Sequence, residues 1–130
     1  MFTIDQIKTA HAKVKSGADF PAYVQELISI GLTGYVQYVH NGRTEYFGNN
    51  GFILKTGGKY PELEIADVSK EEDFKHYLKI HQQGQTDYLT FCKHSAETGI
   101  ENWILDFSAM TCTYYDKFGN RIVEETIPQV

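Results

Sequence analysis

Residues 10–38 read AHAKVKSGADFPAYVQELISIGLTGYVQY, and this stretch decides the fold. It holds the end of one helix pattern, a turn at Ser16 and Gly17, a second helix and the start of a strand. The second helix carries apolar residues at helical spacing: Phe20, Tyr23, Val24, Leu27 and Ile28. Gly31 then ends it. The stretch therefore predicts two helices that lead into a sheet.

Start signals support both helices. Thr3 and Gln6 have the spacing of a capping box, in which each side chain bonds the backbone N–H of the other residue. Asp19, two residues before Pro21, is predicted to cap the second helix. The first helix is predicted to stop at Ser16 and Gly17.

The hydrophobic period changes to two after Gly31. Alternating runs at residues 35–40 and 43–47 flank Asn41-Gly42, which predicts a hairpin with a two-residue turn. With that turn, Tyr38 opposes Glu45. A third strand is predicted at residues 52–54, and a short extra strand at residues 63–65.

The second part of the chain follows the same order. Ser69 and Glu72 predict a capping box for a third helix, and Asp87 predicts the cap of a fourth. Three alternating strands follow. They span residues 100–107, 111–115 and 121–127.

An offset of 68 positions places Asp19 on Asp87, Gly31 on Gly99 and Val36 on Ile104. Few residues are identical between the two halves, but helix starts, helix ends and strand faces occur at corresponding positions. This favours an internal pseudo-repeat of residues 3–56 and 69–127. The alternative is that amphipathic segments of this kind resemble one another by construction.

The predicted fold is a single two-layer α+β domain over residues 1–130. Two tandem helix-helix-strand-strand-strand units build it. They give a mainly antiparallel sheet of about six strands covered by about four helices.

Composition excludes several classes of function. The net charge is −5 and the sequence pI is about 5.5, so the chain lacks the basic surface that nucleic-acid binding requires. No run reaches the roughly 18 apolar residues of a membrane span. Cys92 and Cys112, with a start at Met1 that has no secretory pattern, favour a soluble cytoplasmic protein.

No familiar catalytic motif is present, so the sequence predicts no catalytic residue. His76 and His81 are five apart and face different sides of a helix, so we predict no metal site and no cofactor. The fragment at residues 56–60 lacks the glycine and hydroxyl residue of a phosphate loop, and we interpret it as a flexible turn. These features favour a non-enzymatic protein but leave enzymatic activity open.

One face of the predicted sheet is neither polar nor fully apolar. If the helices cover the face that carries Tyr35 and Trp103, the opposite face carries Val36, Tyr38, Glu45, Phe47, Ile104, Asp106, Thr113 and Tyr115. An antiparallel sheet usually turns a polar face to water. Three explanations remain open: the two halves curl over this face, a dimer partner covers it, or a ligand does.

Two functions therefore remain. The first is a binding or interaction module, as a homodimer or with another protein, that uses the mixed face or the loop at residues 15–19. The second is a small-molecule-binding protein or small enzyme with a pocket between the two repeats. The candidate ligand-binding residues are Lys13, Asp19, Tyr38, His40, Glu45, Asp106 and Tyr115.

The run HAKVKSGADFP at residues 11–21, continued by residues 23–27 and Gly31, resembles the YbcV-like family of small bacterial proteins. Some members of that family are labelled "phage envelope protein". The family has no established activity, so the resemblance implies no catalytic residue. It implies at most a prophage connection, and with it an effector that binds a host protein.

Overall fold

The computed structural model describes residues 2–15 and 17–128. Its α-helices are α1 (Ile4–His11), α2 (Phe20–Ser29), α3 (Glu71–Gln82) and α4 (Tyr88–Glu97). Its strands are β1 (Leu32–Tyr38), β2 (Thr44–Gly48), β3 (Ile53–Lys55), β4 (Ile100–Asp106), β5 (Thr111–Asp116) and β6 (Arg121–Thr126). Short 3-10 turns occupy Gly17–Asp19 and Asn49–Gly51.

All six strands form one antiparallel sheet in the order β3-β2-β1-β4-β5-β6. The prediction of an α+β domain with two helix-helix-strand-strand-strand units is therefore confirmed. The units meet where β1 pairs with β4, and Val36 lies directly opposite Ile104. Since these two positions correspond at the offset of 68, a pseudo-two-fold axis passes between them.

The helices pack on one face of the sheet. Phe91 of α4 lies 5.5 Å from Trp103, and Phe74 of α3 lies 5.0 Å from Tyr114, measured between ring centroids. Tyr23 of α2 is buried on the same side. Aromatic contacts from both units therefore close a shared core.

The register places on the other face the eight residues that the sequence predicts for it. We call this side the open face. Thr113 is 6% exposed there, but Ile104 is 37% exposed and the other six are half-buried or exposed. Because β1 pairs with β4 side by side, the two units do not curl over it.

The turn between β1 and β2 differs from the prediction. Gln37 opposes Thr44, and the Tyr38 N–H donates to the Arg43 carbonyl at 3.0 Å, so the loop has four residues, 39–42. The predicted pairing of Tyr38 with Glu45 is wrong. Only Gly42 has a positive φ, at 81°, whereas the predicted turn needs two such residues. Val39, fully buried, donates its N–H to β4, which keeps it out of the hairpin ladder.

Of the two caps predicted in the first unit, one is confirmed. Thr3 Oγ1 accepts from the Gln6 N–H at 3.2 Å, and Gln6 Oε1 accepts from the Thr3 N–H at 2.8 Å. Asp19 does not cap α2, because its backbone is helical and a capping residue is normally extended. Its Oδ2 accepts from the Lys15 N–H at 2.8 Å instead.

In the second unit, too, one of the two predicted caps is confirmed and the other is wrong. Asp87 caps α4 by accepting from the Thr90 N–H at 2.7 Å. The capping box predicted from Ser69 is wrong, because α3 begins at Glu71 and the capping position falls on Lys70, whose side chain has no acceptor. Instead of a cap, acidic residues in the first turn of α3 stabilise the helix through their interaction with the helix dipole.

Two boundaries also differ. Helix α1 ends at His11, and Ser16 of the predicted stop lies outside the described residues. Residues 63–65 form no strand, because the Leu63 N–H donates to the carbonyl of His40 at 2.6 Å rather than to a strand edge. Within the described ranges, no helix has the length and apolarity to cross a membrane, since the longest, α3, has 12 residues.

Candidate functional site

The chain that follows β3 crosses back over the turn between β1 and β2. The backbone N–H groups of Lys59 and Tyr60 donate to the Asn41 carbonyl at 2.7 and 3.4 Å, and the Tyr60 hydroxyl donates to the carbonyl of Val39. The Tyr60 ring lies on Gly42, where a Cβ would stand 2.7 Å from it. This crossing loop, residues 56–63, directs the Lys59 side chain towards the helix-covered face.

Lys59 reaches a buried polar pair there. Its Nζ donates to Thr44 Oγ1 at 3.1 Å, and the Thr44 hydroxyl donates to Gln37 Oε1 at 2.7 Å. Gln37 is 5% exposed and Thr44 is 1% exposed. We call these three residues the Lys59 network. Its two inner members belong to strands at the centre of the sheet, which fixes their positions.

Helix α4 of the second unit supplies the neighbouring groups. Burial raises the pKa of the Cys92 thiol, while the neighbouring hydroxyls of Tyr60 and Tyr88 and the charge of Lys59 lower it. Burial lowers the pKa of Lys59, and Cys92 acts in the opposite direction. Tyr88 is 40% exposed and lies at the solvent-facing side of this group of residues. The two units therefore meet at the ammonium group of Lys59.

The remaining neighbours are aromatic and neutral. Burial raises the pKa values of Tyr23 and Tyr46, so their hydroxyls stay protonated. The Tyr35 and Tyr46 rings lie 5.6 Å apart, and His11 meets the edge of Tyr23 at 5.5 Å. Burial, and then the charge of Lys59, lower the pKa of His11. Lys59 is thus a cation among neutral groups.

Lys59 is not part of an ion pair within residues 2–15 and 17–128. Three other lysines in these ranges are paired, for example Lys13 with Glu26 at 2.6 Å and Lys75 with Glu71 at 2.9 Å, whereas several exposed lysines there have no such pair. Lys59 is an exposed residue, but burial of part of its side chain lowers its pKa, and no carboxylate of the described residues pairs with it. Such an ammonium can bind an external anion.

The second unit fills the corresponding positions differently. At the offset of 68, the positions of the Lys59 network are taken by Leu105, Cys112 and Ile127. These residues are 2%, 4% and 2% exposed, so they form ordinary apolar core. The turn itself is kept, because Gly42 and Met110 correspond and both have positive φ. The fold therefore accepts apolar residues at these positions and does not require a polar network.

Four candidate residues from the sequence lie on the open face. Tyr38 lies under the guanidinium of Arg43 at 3.8 Å, and Arg43 also pairs with Glu45 at 3.0 Å. Asp106 Oδ1 accepts from the Ser108 N–H at 2.9 Å, which stabilises the turn into β5. Tyr115 stands on β5 beside β4.

The other three candidates lie elsewhere. Lys13 pairs with Glu26 between α1 and α2 and lines an open groove of about 450 Å³ there. Asp19 lies in the 3-10 turn before α2. His40 lies in the loop between β1 and β2. The seven candidates are therefore spread over the open face, the first helix pair and this loop, and their role in binding stays a prediction.

Sequence reasoning missed the Lys59 network. It treated residues 56–60 as a flexible turn and gave no role to Gln37 or Thr44. One signal was present in the sequence: the alignment at offset 68 places Gln37 on Leu105 and Thr44 on Cys112, polar residues against apolar ones. That mismatch on a strand face predicted to be buried marks the site.

Comparison with known families gives a match over residues 8–126 to the model described as "Protein of unknown function (DUF1398)". A comparison with curated proteins finds no match. The family match covers nearly the whole chain, from the second half of α1 to the end of β6. The chain therefore belongs to the DUF1398 family of proteins of unknown function.

Proposed function

We propose that this protein is a binding protein for a small organic acid, and that the Lys59 network holds the acid group. The observation that carries the proposal is the contrast between the units: one has two buried polar residues bonded to an exposed, unpaired lysine where the other has apolar core. Buried polar groups cost free energy unless they are satisfied. Gln37 and Thr44 satisfy each other, but the apolar core of the second unit shows that the fold does not need them.

The chemistry of the site favours a carboxylate. An ammonium group has three N–H donors, and Thr44 accepts one of them at 3.1 Å. A single cation among neutral tyrosines matches a monoanion better than a dianion, whose second charge would be desolvated without a partner. The rings of Tyr60 and Tyr88 offer apolar surface to the organic part. Because Lys59 and Tyr88 are exposed, both can move aside when a ligand enters.

Replacing Lys59 with methionine is expected to weaken binding of benzoate or 4-hydroxybenzoate by about tenfold or more, because the charge-assisted hydrogen bonds are lost. Isothermal titration calorimetry with each acid measures this. Lys8→Met removes the same charge from an exposed position of helix α1 and should leave the affinity unchanged. Equal affinities for wild type and Lys59→Met would contradict the site.

The pH dependence provides a second readout of the same experiment. The acid binds the ammonium form, and burial holds the pKa of Lys59 below the 10.5 of an ordinary lysine. Affinity should therefore be level near neutral pH and fall as the pH rises through that lowered value. An affinity that stays level beyond pH 10.5 would show that the charge of Lys59 does not hold the ligand.

The double variant Gln37→Leu, Thr44→Val imitates the second unit. It removes both hydrogen-bonding partners together, so the free energy of unfolding should change by less than about 1 kcal/mol. Thr44→Val alone leaves Gln37 Oε1 without its donor and should cost about 1–3 kcal/mol. Urea unfolding compares the variants. The double variant should bind benzoate more weakly than wild type.

A double variant that loses as much stability as Thr44→Val alone would show that the network is structural.

The resemblance to the YbcV-like family with its phage label remains a prediction, and so does a cytoplasmic location. A pull-down from host lysate tests the associated effector function, and finding no specific partner would count against it.

A further inference from the structure

The open face lies on the side of the sheet away from the Lys59 network. We propose that two copies of this chain pack there face to face, related by a two-fold axis parallel to the strands. In this arrangement Lys55 of each copy meets Glu124 of the other. The proposal is independent of ligand binding.

The open face exposes apolar side chains, which we expect another surface to cover. Ile53 is 48% exposed and Ile104 is 37% exposed, and both lie on paired strands rather than in loops. Val36, Phe47 and Tyr115 beside them are only half-buried. Several incompletely buried apolar residues on one face of a sheet are typical of an interface.

The charges on this face form a pattern that selects the partner. Consecutive strand pairings define one row of residues that crosses the face from edge to edge: Lys55, Glu45, Val36, Ile104, Thr113 and Glu124. The row has its lysine at one end, a glutamate at the other, and its two aliphatic residues at the centre. It is therefore complementary to itself when reversed.

Two symmetric stackings of the sheets are available. A two-fold axis parallel to the strands reverses the row, so Lys55 faces Glu124 and Val36 faces Ile104. An axis across the strands places each residue opposite its own copy, with lysine on lysine and glutamate on glutamate. Opposite charges favour the first stacking and like charges disfavour the second.

The arginines of the open face do not upset this pattern. Arg43 pairs with Glu45 at 3.0 Å within its own chain. Arg121 lies 3.8 Å from Glu124, but this pair is long and largely exposed, so it is weak and leaves Glu124 able to bind Lys55 of the other copy. Six strands spaced about 4.8 Å apart would bury on the order of 1,100 Å² in total, near the lower limit of specific interfaces. A dimer with a dissociation constant in the micromolar range is therefore expected.

Sedimentation equilibrium on a charge-swap series tests the arrangement. Wild type should dimerise, and Lys55→Glu or Glu124→Lys alone should raise the dissociation constant about ten- to hundredfold, because two attractive pairs become repulsive. The double variant, which exchanges the two charges, should recover most of the wild-type affinity. Ile104→Lys should abolish the dimer, whereas Val68→Lys, at a 70% exposed position outside the sheet, should not.

Circular dichroism and thermal unfolding establish that each variant is folded before its association is compared. A wild-type chain that stays monomeric up to about 1 mM would overturn the proposal. So would a dimer that the single charge reversals leave unchanged, since it would use another surface. A double variant that stays monomeric would overturn the parallel axis. None of these outcomes bears on benzoate binding at the Lys59 network.

Discussion

Replacing Gly34 with alanine should cost about 4 kcal/mol or more, which is a large part of the roughly 5–15 kcal/mol by which a protein is normally stable. A Cβ at this position would stand 2.3 Å from the carbonyl oxygen of Leu105 and 3.4 Å from its carbonyl carbon. Both are backbone atoms of β4, and β1 pairs with β4 at the centre of the sheet. Neither strand can move away without breaking the junction of the two units.

Urea unfolding followed by circular dichroism measures this cost. Gly57→Ala is the matched control, because a Cβ there meets nothing within 4 Å. Its effect should stay within about 0.5 kcal/mol. If the Gly34→Ala variant unfolded at nearly the same urea concentration as wild type, the separation of β1 and β4 at the junction would be larger than the structure shows.

Phe74→Ala is the second large effect, with an expected loss of about 3–5 kcal/mol. The Phe74 side chain is fully buried, and its ring lies 5.0 Å from Tyr114 and 6.0 Å from Phe91. It joins α3 to both the sheet and α4, so its removal leaves a cavity where three elements meet.

Phe118→Ala provides the comparison, because Phe118 is 68% exposed in the turn between β5 and β6. Its effect on the urea midpoint should be small. Similar losses for the two phenylalanine variants would mean that α3 is not anchored through Phe74. Far-UV circular dichroism of the folded baseline shows whether α3 itself is retained.

Local signals in the sequence were sufficient for most of the fold. The Thr3 capping box, the apolar spacing in α2 and the glycine that follows each second helix are short-range features, and each predicted its element. The offset of 68 extends this to topology: α2 and α4 begin and end 68 positions apart, as do β1 and β4. Repeated local patterns therefore predicted two units and one sheet.

Long-range contacts account for the errors. The sequence around Asn41-Gly42 favours a two-residue turn, but Val39 gains more from burial against β4, and Asn41 binds the crossing loop. Nothing near Asn41 in the sequence signals a loop that begins 15 positions later, at residue 56. Tertiary hydrogen bonds thus overrode turn chemistry.

The candidate site was hidden for the same reason. Lys59 acquires a role only because the crossing loop brings it to Thr44, and the pair of Gln37 and Thr44 depends on the register that the sequence predicted wrongly. With Tyr38 opposite Glu45, Gln37 would have opposed Tyr46 instead of Thr44. Comparison of the two units position by position was the one route from sequence to this site.

The pairing of Val36 with Ile104 has a consequence for folding. Every other strand pair in the sheet joins strands that are consecutive along the chain, so each three-stranded meander closes short loops. Joining β1 to β4 closes a much longer loop. The chain must lose the corresponding conformational entropy before the contacts between these two strands form. We therefore expect each meander to form early and their docking along β1 and β4 to be the slow step.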